Sequence, residues 1–248
     1  MIWDVLFEPF INFGFMRRAL LGCVAVSIGA TPMGVFLMLR RMSLTGDAMA
    51  HAILPGAAIG YLIAGLSLGA MTIGGLIAGM AVAVLSGFVT RITALREDAS
   101  LAAFYLTSLA LGVLIVSSKG SNVDLMHVLF GTVLALDNAT LVLLCAIASI
   151  TLVLLSAIFR PLVLECADPQ FLRSVSWLSA ATHFTFLILV VLNLVGGFHA
   201  LGTLMAVGIM ILPAAGARFW AEGIGGLILA STVIALISSF IGLLLSFH

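Results

Sequence analysis

The chain has 248 residues, 63% of them hydrophobic and only 8% charged, and its ten basic residues balance ten acidic ones to leave no net charge. Charged residues make up roughly 25% of an ordinary soluble domain, so a soluble globular protein is excluded, and the lack of a basic excess argues against a nucleic-acid partner. What remains is an all-α, polytopic integral membrane bundle with room for about eight transmembrane helices, since one span and its loop consume roughly 30 residues.

In chain order, MIWDVLFEPF carries Asp4 and Glu8 where a cleaved signal would be basic, which favours a retained first span. Apolar runs with charged or Gly-rich boundaries predict spans at 18–39, 47–65, 70–90, 99–117, 138–158, 175–195, 200–217 and 223–246. Residues 120–137, GSNVDLMHVLFGTVLALD, are too polar and short for a clear span and read as a re-entrant or interfacial piece. Arg40, Arg41, Arg91, Arg96, Arg160, Arg173 and Arg218 fall on one side, with Arg17, Arg18 and Lys119 on the other. The first side is therefore expected to be cytoplasmic, with both termini outside. Cys23, Cys145 and Cys166 have no CxxC spacing and imply neither a disulfide framework nor a thiolate metal site.

The second span begins SLTGDAMAHAILPG. Counting about 1.5 Å per residue from Arg41, Asp47 lies roughly 9 Å and His51 roughly 15 Å into a hydrocarbon layer about 30 Å thick. An ionised Asp there costs about 2.5–3.5 kcal/mol, against about 0.3–0.6 returned per Leu or Ile, so such a group normally faces a protein interior or a wet path. Alone, Asp47 reads equally well as a helix cap. Four residues apart, however, Asp47 and His51 share one helix face and can converge on one ligand. Pro55 removes the hydrogen bond to the His51 carbonyl, kinking the helix and freeing an oxygen beside the pair. Two copies about a twofold axis supply two carboxylates and two imidazoles, a set suited to a divalent transition metal: tetrahedral zinc, or manganese or iron with added carbonyls or waters. Ser43, Asp47 and His51 do not form a hydrolase triad, because the Asp and not the His lies in the middle.

LRRMSLTGDAMAHAILPGAAIGYL at 39–62, DLMHVLFG at 124–131 and GTLMAVGIMILPAAGARFW at 202–220 together resemble the zinc and manganese permease family of ATP-binding-cassette importers, along nearly the whole chain. The resemblance implies a type II importer-like permease domain over 1–248, in a bacterial plasma (inner) membrane. It also implies a homodimer, an extracytoplasmic metal-binding protein and a separate cytoplasmic ATPase. This chain is then a transport subunit and not an enzyme, with no permanently bound cofactor and a divalent metal, zinc first and manganese next, as cargo. It implies that Asp47 and His51 of the GDAxxHAxLPG motif line the metal path. Members of the family commonly continue into one more apolar segment beyond the point where this sequence ends, LLLSFH.

No GxxxxGK[ST] loop is present, so ATP is expected to bind elsewhere. The longest expected cytoplasmic connection, 160–177, reads RPLVLECADPQFLRSVSW. Asp168 followed by Pro169 signals a helix start, with Phe171, Leu172 and Val175 forming an apolar side and Arg173 beside them, apt for docking on the ATPase. It looks like the family's DPxxAxxxG coupling segment, departing from it with Leu172 for Ala and Ser176 for Gly. An ordinary capped connector remains the other reading. ILPGAAIG at 53–60 and ILPAAGAR at 211–218 form a faint echo that makes Pro213 the second candidate for a pathway or hinge position, after Pro55. His127 and His199 sit at outer boundaries, and His183 lies one turn into an apolar helix. A proton-coupled secondary transporter using the same Asp and His, or a membrane assembly subunit that moves nothing, are the alternative functions.

Overall fold

A computed structural model describes residues 8–65, 67–93, 95, 97–118, 136–168, 171–172 and 178–247. Among the described residues, the chain forms helices α1 Gly14–Leu39, α2 Ser43–Ala52, α3 Leu54–Ala64, α4 Leu68–Ile92, α5 Glu97–Ser118, α6 Asn138–Ala167, α7 Leu178–Ala217 and α8 Ile224–Phe247. The described residues contain six helical stretches long and apolar enough to cross a membrane, the α2–α3 pair counting as one. The shorter apolar run Ala99–Ile115 in α5, about 25 Å long, lies alongside them and counts as a seventh crossing.

The eighth comes from α7, which folds back on itself. Gly202 has φ +79° and ψ 169°, a backbone conformation open to glycine and strained for other residues. A Cβ added at Gly197 would lie 2.7 Å from the Cβ of Ala206. On α1, Gly29 faces Asn193 while Gly34, one turn and a half along, faces the Met210 carbonyl. In a straight helix residues 193 and 210 would be about 25 Å apart, so the two arms, 178–201 and 203–217, run antiparallel. The expected break between 195 and 200 falls slightly later, because Gly196 and Gly197 are contact points within the first arm and not its end.

Residues 29–37 of α1 are buried at every position, so this helix is the centre of the bundle, enclosed by α6, α7 and α8. A second group joins α3, α4 and α5. There α3 and α4 approach until Gly56 and Gly74 meet backbone to backbone: a Cβ on either would collide with the other's carbonyl oxygen. Small residues at such spacing let membrane helices gain close van der Waals packing where no hydrophobic drive exists. The short α2 bridges the groups, touching α7, α5, α4 and α1.

Neighbour pairs fix which ends coincide. Arg40, Glu165 and His183 meet, placing the C-termini of α1 and α6 beside the start of α7. Gly46 packs on Met210 and Ile211, which bring the second arm of α7 to the same end. Ser108 lies beside Ala52 and Gly112 beside Pro55, so α5 runs parallel to α2 and α3. Arg40, Arg41, Arg160 and Arg218 thus share one end, and Arg17 and Arg18 the other, matching the charge asymmetry of the sequence.

Two expectations change. The connection between helices does not start at residue 160: α6 continues through Arg160 and Pro161 to Ala167. Pro161 forfeits only the hydrogen bond to residue 157, and the turns beyond it are held by fully buried Leu162 and by Glu165. The kink expected at Pro55 in the second span falls two residues earlier, at Ile53, where the span divides into α2 and α3.

A polar pair on the outer face of the bridging helix

Helix α2 buries Thr45, Met49, Ala50 and Ala52 against its neighbours and turns Asp47 and His51 the other way. The Asp47 side chain is 59% exposed and that of His51 30% exposed, with Nε2 of the imidazole 3.7 Å from Oδ1 of the carboxylate. Two ligands about 2.1 Å from a shared cation lie up to about 4.2 Å apart, so this separation admits one ion between them without rotamer change. The His51 ring stacks on Tyr105 of α5, 6.3 Å between centroids and 28° between planes, which fixes the imidazole's plane. Its Nδ1 is buried with no hydrogen-bond partner among the described residues. Ser108 donates to the Ala52 carbonyl at 3.0 Å and pins the end of α2 to α5.

The height of the pair follows from packing. Ile53 fills the space left by Gly75 and Gly79, close to the middle of the 25-residue α4, and His51 is two residues before it. Ile59, Leu62 and Ile63 on α3 and Leu106, Leu111, Val113 and Leu114 on α5 are exposed apolar side chains around and above it. An acidic side chain is thus presented half-way up an otherwise oily face, where solvation by hydrocarbon would cost about 2.5–3.5 kcal/mol. The His51 carbonyl, deprived of the Pro55 amide, is met by the Ile53 amide and is not the free oxygen expected. No group of three or more His, Cys, Asp or Glu side chains converges among the described residues, so Asp47 and His51 stand as a pair.

The other residues singled out from the sequence lie apart. Pro55 is buried against Gly112 at the α2–α3 break, and Pro213 is buried inside the second arm of α7. Asp168 closes α6, and its Oδ1 accepts the Phe171 amide at 2.9 Å. Phe171 is 51% exposed and Leu172 is buried, so these two point to different sides. Pro169, Arg173, Val175 and His127 lie outside the described residues. His199, at the outer turn of α7, bonds the Val195 carbonyl through Nδ1 and approaches Thr72 through Nε2 at 3.4 Å.

Sequence reasoning missed a buried charged cluster. Arg40 Nη2 lies 2.7 Å from His183 Nδ1 and 3.3 Å from Glu165 Oε1, and the three side chains are between 4% and 9% exposed. The guanidinium also sits 5.1 Å over the Phe186 ring, itself packed edge-on against Phe36. A lone acid in the apolar run LVLECA was the available signal. Removing one partner of such a pair costs about 3–5 kcal/mol, because the other is left as an uncompensated buried charge.

Among the described residues, a bundle of membrane-crossing helices with an acid–imidazole pair on a short bridging helix is the membrane-spanning part of a transporter. The chain belongs to the ABC 3 transport family, whose sequence profile matches residues 12–248. It is 30% identical over 236 residues to the manganese import system permease protein ScaB of Streptococcus parasanguinis, covering 95% of this chain and 83% of that one. It is 29% identical to a probable iron transport system membrane protein of Haemophilus influenzae, covering 100% of this chain and 89% of that one. Among solved structures, PsaBC from Streptococcus pneumoniae in complex with Fab superposes with a TM-score of 0.81 at 26% identity, covering 100% of this chain and 94% of that one. This chain is therefore a multi-pass permease subunit of a bacterial plasma-membrane ABC transporter, not an enzyme, and ATP hydrolysis falls to a separate subunit.

Proposed function

We propose that the chain carries a divalent metal ion into the cytoplasm, with Asp47 and His51 as the transient ligands and two copies of the chain facing each other across the path. The carrying observation is the outward presentation of this pair at mid-height on an apolar face. A second copy laid over that face supplies the missing ligands and removes an acid from hydrocarbon, so one arrangement meets both needs. The relatives' names, which cite manganese and iron, and a carboxylate–imidazole set favour manganese, then iron, ahead of the zinc first expected. The segment after Asp168, with exposed Phe171 at the cytoplasmic end, is the assigned contact for the ATPase, and Pro55 and Pro213 mark the helices that reshape the path. An extracytoplasmic protein delivers the ion.

Radiometal uptake into vesicles holding the complete complex tests this. Asp47→Asn and His51→Ala are expected to reduce manganese uptake at least about tenfold, the loss of roughly 1.4 kcal/mol of transient binding, with normal assembly. Uptake equal to wild type in both would remove the site. Uptake that follows a pH gradient and ignores the ATPase would replace the reading with proton-coupled transport.

A further inference from the structure

The buried cluster of Arg40, Glu165 and His183 lies outside the proposed metal path, and its place in the chain gives it a task. Glu165 stands three residues before Asp168, and His183 stands six residues beyond 177, so the two bracket the segment 168–177. Both are held by one guanidinium. Arg40 in turn is the last residue before the corner that starts α2, with Asp47 seven residues further on. The corner is strained: Arg41 has φ +59°, the left-handed region. Any displacement reaching Glu165 or His183 would act, through these contacts, on the residue before the corner from which α2 hangs.

We infer that Arg40, clasped by Glu165 and His183, is the positioning residue that transmits movement of the ATPase-facing segment to the helix carrying Asp47 and His51. This rests on the assignment of 168–177 to the ATPase contact. Three observations favour transmission over simple cohesion. The clasp joins three helices at the cytoplasmic end, where force would enter. Arg40 Nη1 and Glu165 Oε2 have no hydrogen-bond partner among the described residues, so the cluster keeps unused capacity for a second arrangement. The Arg40 guanidinium also rests on the Phe186 face, a contact that tolerates sliding better than a hydrogen bond does.

The experiment uses the whole complex with its ATPase in nanodiscs, with Cys23, Cys145 and Cys166 changed to Ala and Asp47→Cys as a thiol reporter. Because the reporter removes a metal ligand, it reads motion of α2 whatever the cargo. With the clasp intact, trapping with ATP and vanadate is expected to change the maleimide rate at position 47 about fivefold or more. With Arg40→Gln or Glu165→Gln that response disappears while ATP hydrolysis continues. If either single variant fails to assemble, the double variant Arg40→Gln with Glu165→Gln, which removes both charges together, carries the test. The inference is overturned if the response survives in these variants, if hydrolysis is lost along with it, or if the intact clasp gives no response. Manganese uptake by the unmodified complex, measured in parallel, reports on the metal reading separately.

Discussion

Arg41 stores conformational energy at the corner between α1 and α2, and the amount can be worked out. Helix α1 ends in a Schellman arrangement: the Met42 amide donates to the Leu37 carbonyl at 2.8 Å and the Arg41 amide to the Met38 carbonyl at 3.0 Å. The residue in the left-handed position of that motif is usually glycine; here it is Arg41, at φ +59°. Its side chain crowds the backbone at a cost of about 1–2 kcal/mol. Replacing it by Gly removes that cost but adds about 0.5–1 kcal/mol of chain entropy lost on folding, for a net gain of about 0.8 kcal/mol. In a chain of this size that amounts to a rise of roughly 2–3 °C in Tm. Arg41→Ala is the control, since it deletes the exposed charge and keeps the strained backbone. Thermal unfolding of both variants in detergent reads the difference between them, which is the conformational contribution alone. An Arg41→Gly protein that melts at or below Arg41→Ala would refute the idea that this corner is strained.

Two further expectations bear on what holds the bundle. Gly74→Val drives a branched side chain into the Gly56 carbonyl and is expected to cost at least about 2 kcal/mol, seen as loss of the monodisperse peak in detergent size exclusion, whereas Gly69→Ala, where nothing stands within 4 Å, leaves the peak unchanged. Asp137 caps α6 by accepting the Thr140 amide at 2.9 Å, and hydrogen bonds from Thr140, with Arg18 adding, hold its carboxyl below the ordinary carboxylate value. Asp137→Ala is expected to cost about 1 kcal/mol near neutral pH. Because the folded-state value is the lower one, that contribution is complete above the unfolded pKa of about 3.9 and fades as pH falls below it, so wild type and variant should converge in acid melts.

Much of this molecule was legible because membrane spans are written in hydropathy, which needs no partner to be read. The α2–α3 break was legible from Pro55, whose missing amide acts locally. Where a local signal met a tertiary one, the sequence misled. The span expected over 138–158 stops short of Arg160, yet buried Leu162 and the Arg40–Glu165 pair carry α6 on to Ala167. Gly196 and Gly197 read as a loop, yet they are the flat places where Ile147 and Ala206 press close, and the bend falls at Gly202. The clasp joins residues 125 and 143 positions apart in the chain, a relation no periodicity encodes. The candidate pair was the opposite case: two polar residues at helical spacing in an apolar run are conspicuous because everything around them is not.

The placement of that pair on α2 also explains why a separate short helix carries it. Helix α1 is buried at nine successive positions and cannot shift without disturbing α6, α7 and α8 together. Helix α2 has only ten residues, about 15 Å, with a strained corner before it and a proline-made break after it. Part of its packing sets side chains against glycines: Met210 and Ile211 against Gly46 and, at the joint after it, Ile53 against Gly75 and Gly79. Such surfaces slide readily, so a small rotation of α2 would turn Asp47 and His51 about the bundle at the expense of one hydrogen bond, from Ser108 to the Ala52 carbonyl, while the enclosing helices keep their packing. On the proposed metal path, an ion held by side chains on α1 would be released only by unpacking the core, whereas one held on α2 would be released by motion at two existing joints.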